Sequence, residues 1–202
     1  FLFTENKTPS AIRVEYVTKA FDEVYKSINT VFENNSFPFV LAGDHSTAAA
    51  TIASIHHSNP GKKLGVIWVD AHANYWNNLK ELGGKNLSTD NLIFIGVRDT
   101  ETPEDYIMSE KNIKNFSVQE INEKGGTEIA IQALAKLDDC DIIYVSFDVD
   151  SMDPIEVSHG TGTPVENGIP VKSVLEILTH FASSPKLVCF ETVEVNPTLD
   201  EK

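Results

Sequence analysis

Three apolar runs that each end in aspartate or histidine constrain this chain more than any other feature. The runs cover residues 37–42, 64–69 and 142–147, and they lead into Asp44 and His45, into Asp70 and His72, and into Asp148 and Asp150. Short apolar runs rich in β-branched residues are typical of buried strands. Open α/β proteins place their ligand sites at the carboxyl ends of parallel strands. We therefore expect three neighbouring strands to deliver acids and imidazoles to one site.

The rest of the chain alternates strands with helices. Apolar residues recur with a helical period at residues 10–32, 46–53, 128–137 and 171–181, and further short apolar runs lie at residues 92–96 and 187–190. This alternation predicts an α/β fold with a doubly wound, mostly parallel sheet sandwiched by helices, in three αβα layers. A length of 202 residues fits a single domain with its own core.

The pair Asp148 and Asp150 indicates a cation site. Two residues apart on a strand, their side chains would project to the same face, about 6–7 Å apart. Such close carboxylates repel each other unless protons or cations neutralise them. An acid pair of this kind also occurs in solvated turns, and in phosphatases that use an aspartyl nucleophile. The repetition of the pattern at His45 and at Asp70 and His72 favours a metal site.

The net charge of the chain limits the classes of molecule that it is expected to bind. Sixteen basic and thirty acidic residues give a formal charge of -14, which disfavours nucleic acid and anionic membranes and suits a small cationic substrate. The sequence has no signal-peptide pattern and no apolar run near the ~20 residues that span a bilayer. Cys140 and Cys189 lie in or beside apolar runs, as reduced core thiols would. We expect a cytoplasmic protein.

Four motifs, in this order and spacing, resemble the arginase, or ureohydrolase, family: GDHS at 43–46, DAH at 70–72, SFDVDSMDP at 146–154 and EVNP at 194–197. Residues 96–99 and 160–165 match further family segments, so the likeness covers nearly the whole chain. The EVNP motif and the three residues after it resemble arginase more than agmatinase or formimidoylglutamase.

The resemblance implies a manganese-dependent hydrolase with two Mn²⁺ ions per subunit at the carboxyl edge of the sheet. It implies five metal ligands, with Asp70 and Asp148 bridging the ions: His45, Asp70, His72, Asp148 and Asp150. It also implies that Asp148 and Glu194 are catalytic, and that three residues contact substrate: Glu101 near its α-amino group, and Thr163 and Glu194 at its guanidinium.

The activity implied by the resemblance is hydrolysis of L-arginine to L-ornithine and urea, in a homotrimer or homohexamer. Agmatinase, formimidoylglutamase and a catalytically silent relative are the alternatives. A silent relative draws support from position 74, where the family has an aspartate ligand and this chain has Asn74. We expect a single domain over residues 1–202 that lacks terminal elements and an active-site loop near residues 73–76. A natural deletion and an omitted mobile loop both explain that gap, and we favour the omitted loop.

Overall fold

Strands and helices alternate along the chain, as the apolar pattern predicts. A computed structural model describes residues 14–73 and 88–199. Within these ranges the strands are β1 (Phe39–Leu41), β2 (Leu64–Val69), β3 (Leu92–Ile95), β4 (Lys114–Phe116), β5 (Ile142–Asp148) and β6 (Leu187–Val193). The α-helices are α1 (Val14–Glu33), α2 (Ala48–Ser58), α3 (Thr102–Glu110), α4 (Val118–Lys124), α5 (Gly126–Lys136) and α6 (Val171–Ala182).

The six strands form one sheet in the order β1-β6-β5-β2-β3-β4, and every neighbouring pair is parallel. This confirms the predicted fold class. The chain leaves β2 toward β3 but leaves β5 toward β6, so it turns in opposite directions from the two central strands. The crevice at the carboxyl ends of such a pair is where open α/β sheets bind ligands. Asp70 follows β2 directly, and Asp148 is the last residue of β5.

Apolar residues cover both faces of the sheet, which gives the three expected layers. On one face, Val145 and its neighbours pack against α4, α5 and α6 through residues such as Ile129 and Ile177. On the other face, Val66 and Tyr144 pack against α2 through Ile52. Strands covered on both faces read as continuous apolar runs rather than alternating ones. All residues of β2 and β5 are accordingly buried.

Two details of the strands differ from the sequence-based prediction. β5 ends at Asp148, and residues 149–151 form a 3-10 turn, so Asp150 does not lie on the strand. The backbone N–H of Asp150 donates to Asp148 Oδ1 at 2.9 Å, and this bond turns the chain out of the strand. β6 continues to Val193, so Glu191 is a buried strand residue and only Glu194 follows the strand end.

Some predictions fall outside the described residues: Asn74, the loop expected near residues 73–76, and the first residues of the helix predicted at 10–32. Within residues 14–73 and 88–199, no helix combines the length and the apolar character needed to cross a membrane.

Candidate metal centre

Five predicted ligands meet at the carboxyl edge of the sheet, after β1, β2 and β5. They form two groups, His45 with Asp70 and Asp148, and Asp70 with His72 and Asp150. Within each group the ligand atoms lie within 4.8 Å of one another. Asp70 belongs to both groups, which makes it the natural bridge between two cation positions. Asp148 belongs to the first group alone, so its predicted bridging role stays a prediction.

The first group is buried. His45 Nδ1 lies 2.9 Å from Asp148 Oδ2 and 3.1 Å from Asp70 Oδ2. Its other ring nitrogen, Nε2, is 2.7 Å from the hydroxyl of Ser146. This second contact fixes the orientation of the imidazole, so that Nδ1 faces the carboxylates.

The second group is partly open to solvent. His72 Nδ1 lies 3.0 Å from Asp150 Oδ2 and 3.5 Å from Asp70 Oδ1. Its Nε2 is 3.6 Å from Asp99 Oδ2. The His72 side chain is 21% exposed, while those of Asp70 and Asp150 are almost fully buried. Solvent therefore reaches the site from the His72 side.

Local turns explain why ligands two residues apart reach the same site. Asp70 Oδ1 accepts a hydrogen bond from the His72 N–H at 2.7 Å, just as Asp148 Oδ1 accepts one from the Asp150 N–H. An aspartate that binds the backbone two residues on forms a compact turn. The spacing acid-x-ligand thus produces a turn, and strand alternation is not needed to bring the pair together.

Trp68 supports both groups, a role that was missed because the residue lies within the apolar run 64–69, which predicts only a buried strand. Its ring stacks on the His45 imidazole with centroids 4.1 Å apart and planes 6° from parallel. Its Nε1–H donates to Asp70 Oδ2 at 2.8 Å. The available signal was position, since Trp68 lies two residues before Asp70 and so shares its face of β2.

The imidazoles and carboxylates perturb one another strongly. Burial lowers the pKa of His45, but hydrogen bonds from its imidazole to Asp148 and Asp70 outweigh burial and raise the pKa to about 10. Hydrogen bonds to Asp150 and Asp70 raise the pKa of His72 to about 10. Burial raises the pKa of Asp148 to about 7. Burial raises the pKa of Asp70, yet the two histidines outweigh burial and hold this pKa well below the usual range.

The donor set fits divalent metal ions. Three carboxylates with two imidazoles suit Mn²⁺, and Co²⁺, Fe²⁺ and Zn²⁺ accept similar ligands. Without cations, protons on both imidazoles offset the charge of the carboxylates, as the raised pKa values of His45 and His72 indicate. A pair of divalent cations supplies more positive charge than the two imidazolium groups, with the imidazoles then neutral and acting as ligands.

Two of the three predicted substrate residues lie beside the predicted metal ligands. Glu194 has a left-handed backbone with φ 63°, and its N–H donates to the Gly43 carbonyl at 2.7 Å. Its Oε1 accepts a hydrogen bond from the His45 N–H at 2.8 Å. Thr163 lies beside the second group, where its hydroxyl donates to Asp150 Oδ2 at 3.3 Å.

Glu101, the third predicted substrate residue, is exposed at the start of α3. Its backbone N–H donates to the Glu104 carboxylate at 2.9 Å, which is a helix-capping contact. In this segment it is Asp99, rather than Glu101, that contacts a predicted ligand, His72. The assignment of Glu101 to the substrate α-amino group stays a prediction.

A buried acid beneath the first group was also missed. Glu191 is fully buried in β6, where its carboxylate accepts hydrogen bonds from the hydroxyls of Tyr144 and, at 2.8 Å, Thr47. Burial raises its pKa. Thr47 follows His45 in the same turn, so Glu191 anchors the segment that carries the first imidazole.

Comparison with known proteins agrees with this geometry. Residues 6–202 match the family described as the arginase family. The chain is 31% identical to the arginase of Staphylococcus aureus (strain MRSA252) over 202 residues, which cover 87% of this chain and 65% of that protein. The chain therefore spans less than two thirds of the length of this curated relative.

Solved structures give the same result. The arginase of Entamoeba histolytica, determined in complex with L-ornithine, superposes with a TM-score of 0.84 and 26% identity, covering 98% of this chain and 77% of that one. The formimidoylglutamase of Bacillus subtilis superposes with a TM-score of 0.80 and 23% identity, covering 94% of this chain and 63% of that one. At that identity the second likeness shows the fold alone.

Proposed function

Because this chain belongs to the arginase family, we propose that it is a metal-dependent hydrolase that converts L-arginine and water to L-ornithine and urea. One observation carries the proposal. Two ligand groups share Asp70, and Glu194 is hydrogen-bonded to the same turn that presents His45 to the first group. A metal centre and a carboxylate suited to a guanidinium group thus lie side by side.

Five residues would hold two Mn²⁺ ions: His45, Asp70, His72, Asp148 and Asp150. Support comes from their convergence and from the match of the donor set to Mn²⁺. When bound, such ions lower the pKa of water, so that hydroxide is available near neutral pH.

Glu194 would orient the substrate. A guanidinium group has planar pairs of N–H donors that a carboxylate can accept in a bidentate pair. The left-handed backbone of Glu194 and its bonds to Gly43 and His45 fix the carboxylate before substrate binds. Preorganised groups avoid the entropy that a mobile side chain would lose on binding. The net charge of -14 favours the approach of a cationic substrate.

Thr163 adds a polar contact beside the second group. Thr163 is exposed and donates to Asp150, so its hydroxyl oxygen can accept a hydrogen bond from a substrate N–H. We propose that Thr163 contacts the guanidinium group in this way, and that Glu101 at the start of α3 receives the substrate α-amino group.

A product assay tests the function. Protein supplied with Mn²⁺ is incubated separately with L-arginine, agmatine and N-formimidoyl-L-glutamate, and urea and the amine products are measured. We expect urea and L-ornithine from L-arginine, and no urea from Asp148→Ala. Urea from agmatine alone, or hydrolysis of the formimidoyl compound alone, would assign the site to those substrates instead. No product from any of the three would mark a catalytically silent relative.

Two further expectations belong to this proposal. We expect a homotrimer or homohexamer, and the molar mass measured by light scattering coupled to size-exclusion chromatography tests this. We also expect a cytoplasmic location, which cell fractionation tests. Both stay predictions.

A further inference from the structure

Arg98 uses all five N–H donors of its guanidinium on backbone carbonyls. Nε donates to Glu166 O at 3.1 Å, Nη1 donates to Gly96 O at 3.1 Å and Ser151 O at 3.2 Å, and Nη2 donates to Asp150 O at 3.0 Å and Val165 O at 2.6 Å. Guanidinium has no sixth N–H to offer. The side chain is therefore fully committed to holding backbone.

The five carbonyls belong to three separate segments. One is the exit of β3, one is the turn that carries Asp150, and one is the loop of residues 160–168 that carries Thr163. The backbone of Arg98 adds a fourth segment, because its N–H donates to Ala71 O at 2.8 Å. The Ala71 N–H in turn donates to Asp150 Oδ1 at 3.2 Å. Arg98 thus joins the segments around the second ligand group.

The contacts of Arg98 are selective in two ways. Its five side-chain bonds end on carbonyl oxygens, so the carboxylate oxygens of Asp150 are left for other partners. Among the segments that it joins are the turn of Asp150 and the loop of Thr163, both beside the second group. The first group is positioned by different contacts, from Ser146 and Trp68 to His45 and Asp70.

We propose that Arg98 is a positioning residue that sets the distance between Asp150 and the Thr163 loop. Through Asp150 it controls the second cation position, and through Thr163 it controls the orientation of substrate. The part that concerns substrate rests on the proposed function, whereas the part that concerns metal binding does not. Neither part extends to the first group.

Lysine cannot replace arginine here. An ammonium group has three donors that radiate from one nitrogen, whereas the guanidinium fork spreads five donors over a plane. Arg98→Lys should keep the charge and part of the contacts. Arg98→Met should remove all five side-chain bonds while keeping an unbranched apolar chain.

Lys186 offers a matched control. Its Nζ donates to the Asp138 carbonyl at 2.6 Å, and it is 32% exposed. It precedes β6, so it lies at the amino end of the sheet, opposite the metal ligands. Lys186→Met therefore removes a contact between a cation and a backbone carbonyl without touching the site.

The experiment measures Mn²⁺ binding by equilibrium titration, with free Mn²⁺ followed by electron paramagnetic resonance, together with melting temperature. Wild type and Lys186→Met should bind two ions. Arg98→Met should lower the affinity for one Mn²⁺ ion by ~10- to 100-fold, the usual effect of losing an outer contact to a ligand. The affinity for the other ion should stay within about twofold of wild type. Arg98→Lys should lie between. In the urea assay, KM for L-arginine should rise more than kcat falls.

Several results would overturn the proposal. One is unchanged affinity of both ions in Arg98→Met. Another is an equal loss at both ions that follows the melting temperature, since that marks a purely structural role. If Arg98→Met does not fold, then a Mn²⁺ affinity of Arg98→Lys equal to that of wild type would overturn the proposal instead. Failure of wild type to bind two ions also rejects it. If wild type binds two ions but hydrolyses no arginine, the proposed function is rejected. The metal titration still tests the role of Arg98 in that case.

Discussion

The carboxylate of Glu194 accepts a hydrogen bond from the backbone N–H of His45, with Oε1 2.8 Å from the nitrogen. The two residues are 149 positions apart in the chain, and this bond joins Glu194, after β6, to the turn that carries His45 after β1. A group suited to substrate and a group suited to metal are therefore positioned by the same backbone. A change at either one should be measured against both functions.

Glu194→Gln separates these functions. The amide oxygen can still accept from the His45 N–H, so metal binding and melting temperature should stay close to wild type. Bonds to charged groups contribute ~1.5–3 kcal/mol each, so loss of the bidentate charged pair should lower kcat/KM for L-arginine by about 10²-fold or more. Steady-state urea formation measures the loss. The exposed Glu23→Gln on α1 is the control, and equal kinetics of the two variants would contradict the assignment.

Asp70 and Asp150 should differ in how many cations they support. Asp70 belongs to both ligand groups, whereas Asp150 belongs to the second alone. Asp70→Asn should therefore weaken the binding of both Mn²⁺ ions, and Asp150→Asn should weaken the binding of one. Metal content after dialysis against limiting Mn²⁺, with folding checked by circular dichroism, measures the difference. Loss of a single ion in Asp70→Asn would contradict a bridging role.

Sequence alone predicted the fold, and also that the candidate ligands would converge at one edge of the sheet, for a simple physical reason. Parallel strands covered on both faces must be apolar throughout, so a polar residue at their carboxyl ends stands out. Asp70 follows β2 directly and Asp148 is the last residue of β5, and the parallel order of the sheet then brings them together. Neither step needs knowledge of a side-chain conformation.

What sequence could not predict depends on side-chain direction and distant contacts. The strand spacing assumed for Asp148 and Asp150 was wrong, because a hydrogen bond between them ends the strand. The roles of Trp68 and Arg98 depend on partners across the fold, and the apolar pattern treats Trp68 as packing. The buried position of Glu191 was missed because the apolar run at residues 187–190 ends before it, whereas the strand continues to Val193.

The pH dependence of Mn²⁺ affinity follows from the raised pKa of both histidines. His45 and His72 have pKa values of about 10, so both hold a proton at pH 7 when no cation is bound. A cation needs the neutral imidazole, so binding at each site releases a proton. Affinity should rise with pH from about 6.5 toward 10, by roughly tenfold per unit for each site. Calorimetry in two buffers of different ionisation enthalpy counts the protons, and zero release would contradict the prediction.

Stability of the metal-free protein should change with pH in the opposite direction. A histidine whose folded pKa lies above its unfolded value contributes stability that is complete below pH 6.5 and is lost as pH rises through about 10. The raised pKa of Asp148 acts in the same direction. In the presence of a chelator, the melting temperature should therefore fall between pH 6.5 and 10. Excess Mn²⁺ should remove this fall, and a melting temperature that rises with pH in chelator would be inconsistent with it.

Tyr144 should contribute to stability through Glu191. Tyr144→Phe removes a buried donor and leaves one carboxylate oxygen of Glu191 without it, which should cost ~1–3 kcal/mol of unfolding free energy. Glu191→Gln should cost less, because burial already raises the pKa of this acid and a neutral amide can still accept from Tyr144. Thermal and chemical unfolding of the metal-free protein measure both. The exposed Tyr106→Phe on α3 is the control, and a loss in Tyr144→Phe no larger than in that control would show that Glu191 does not depend on the tyrosine hydroxyl.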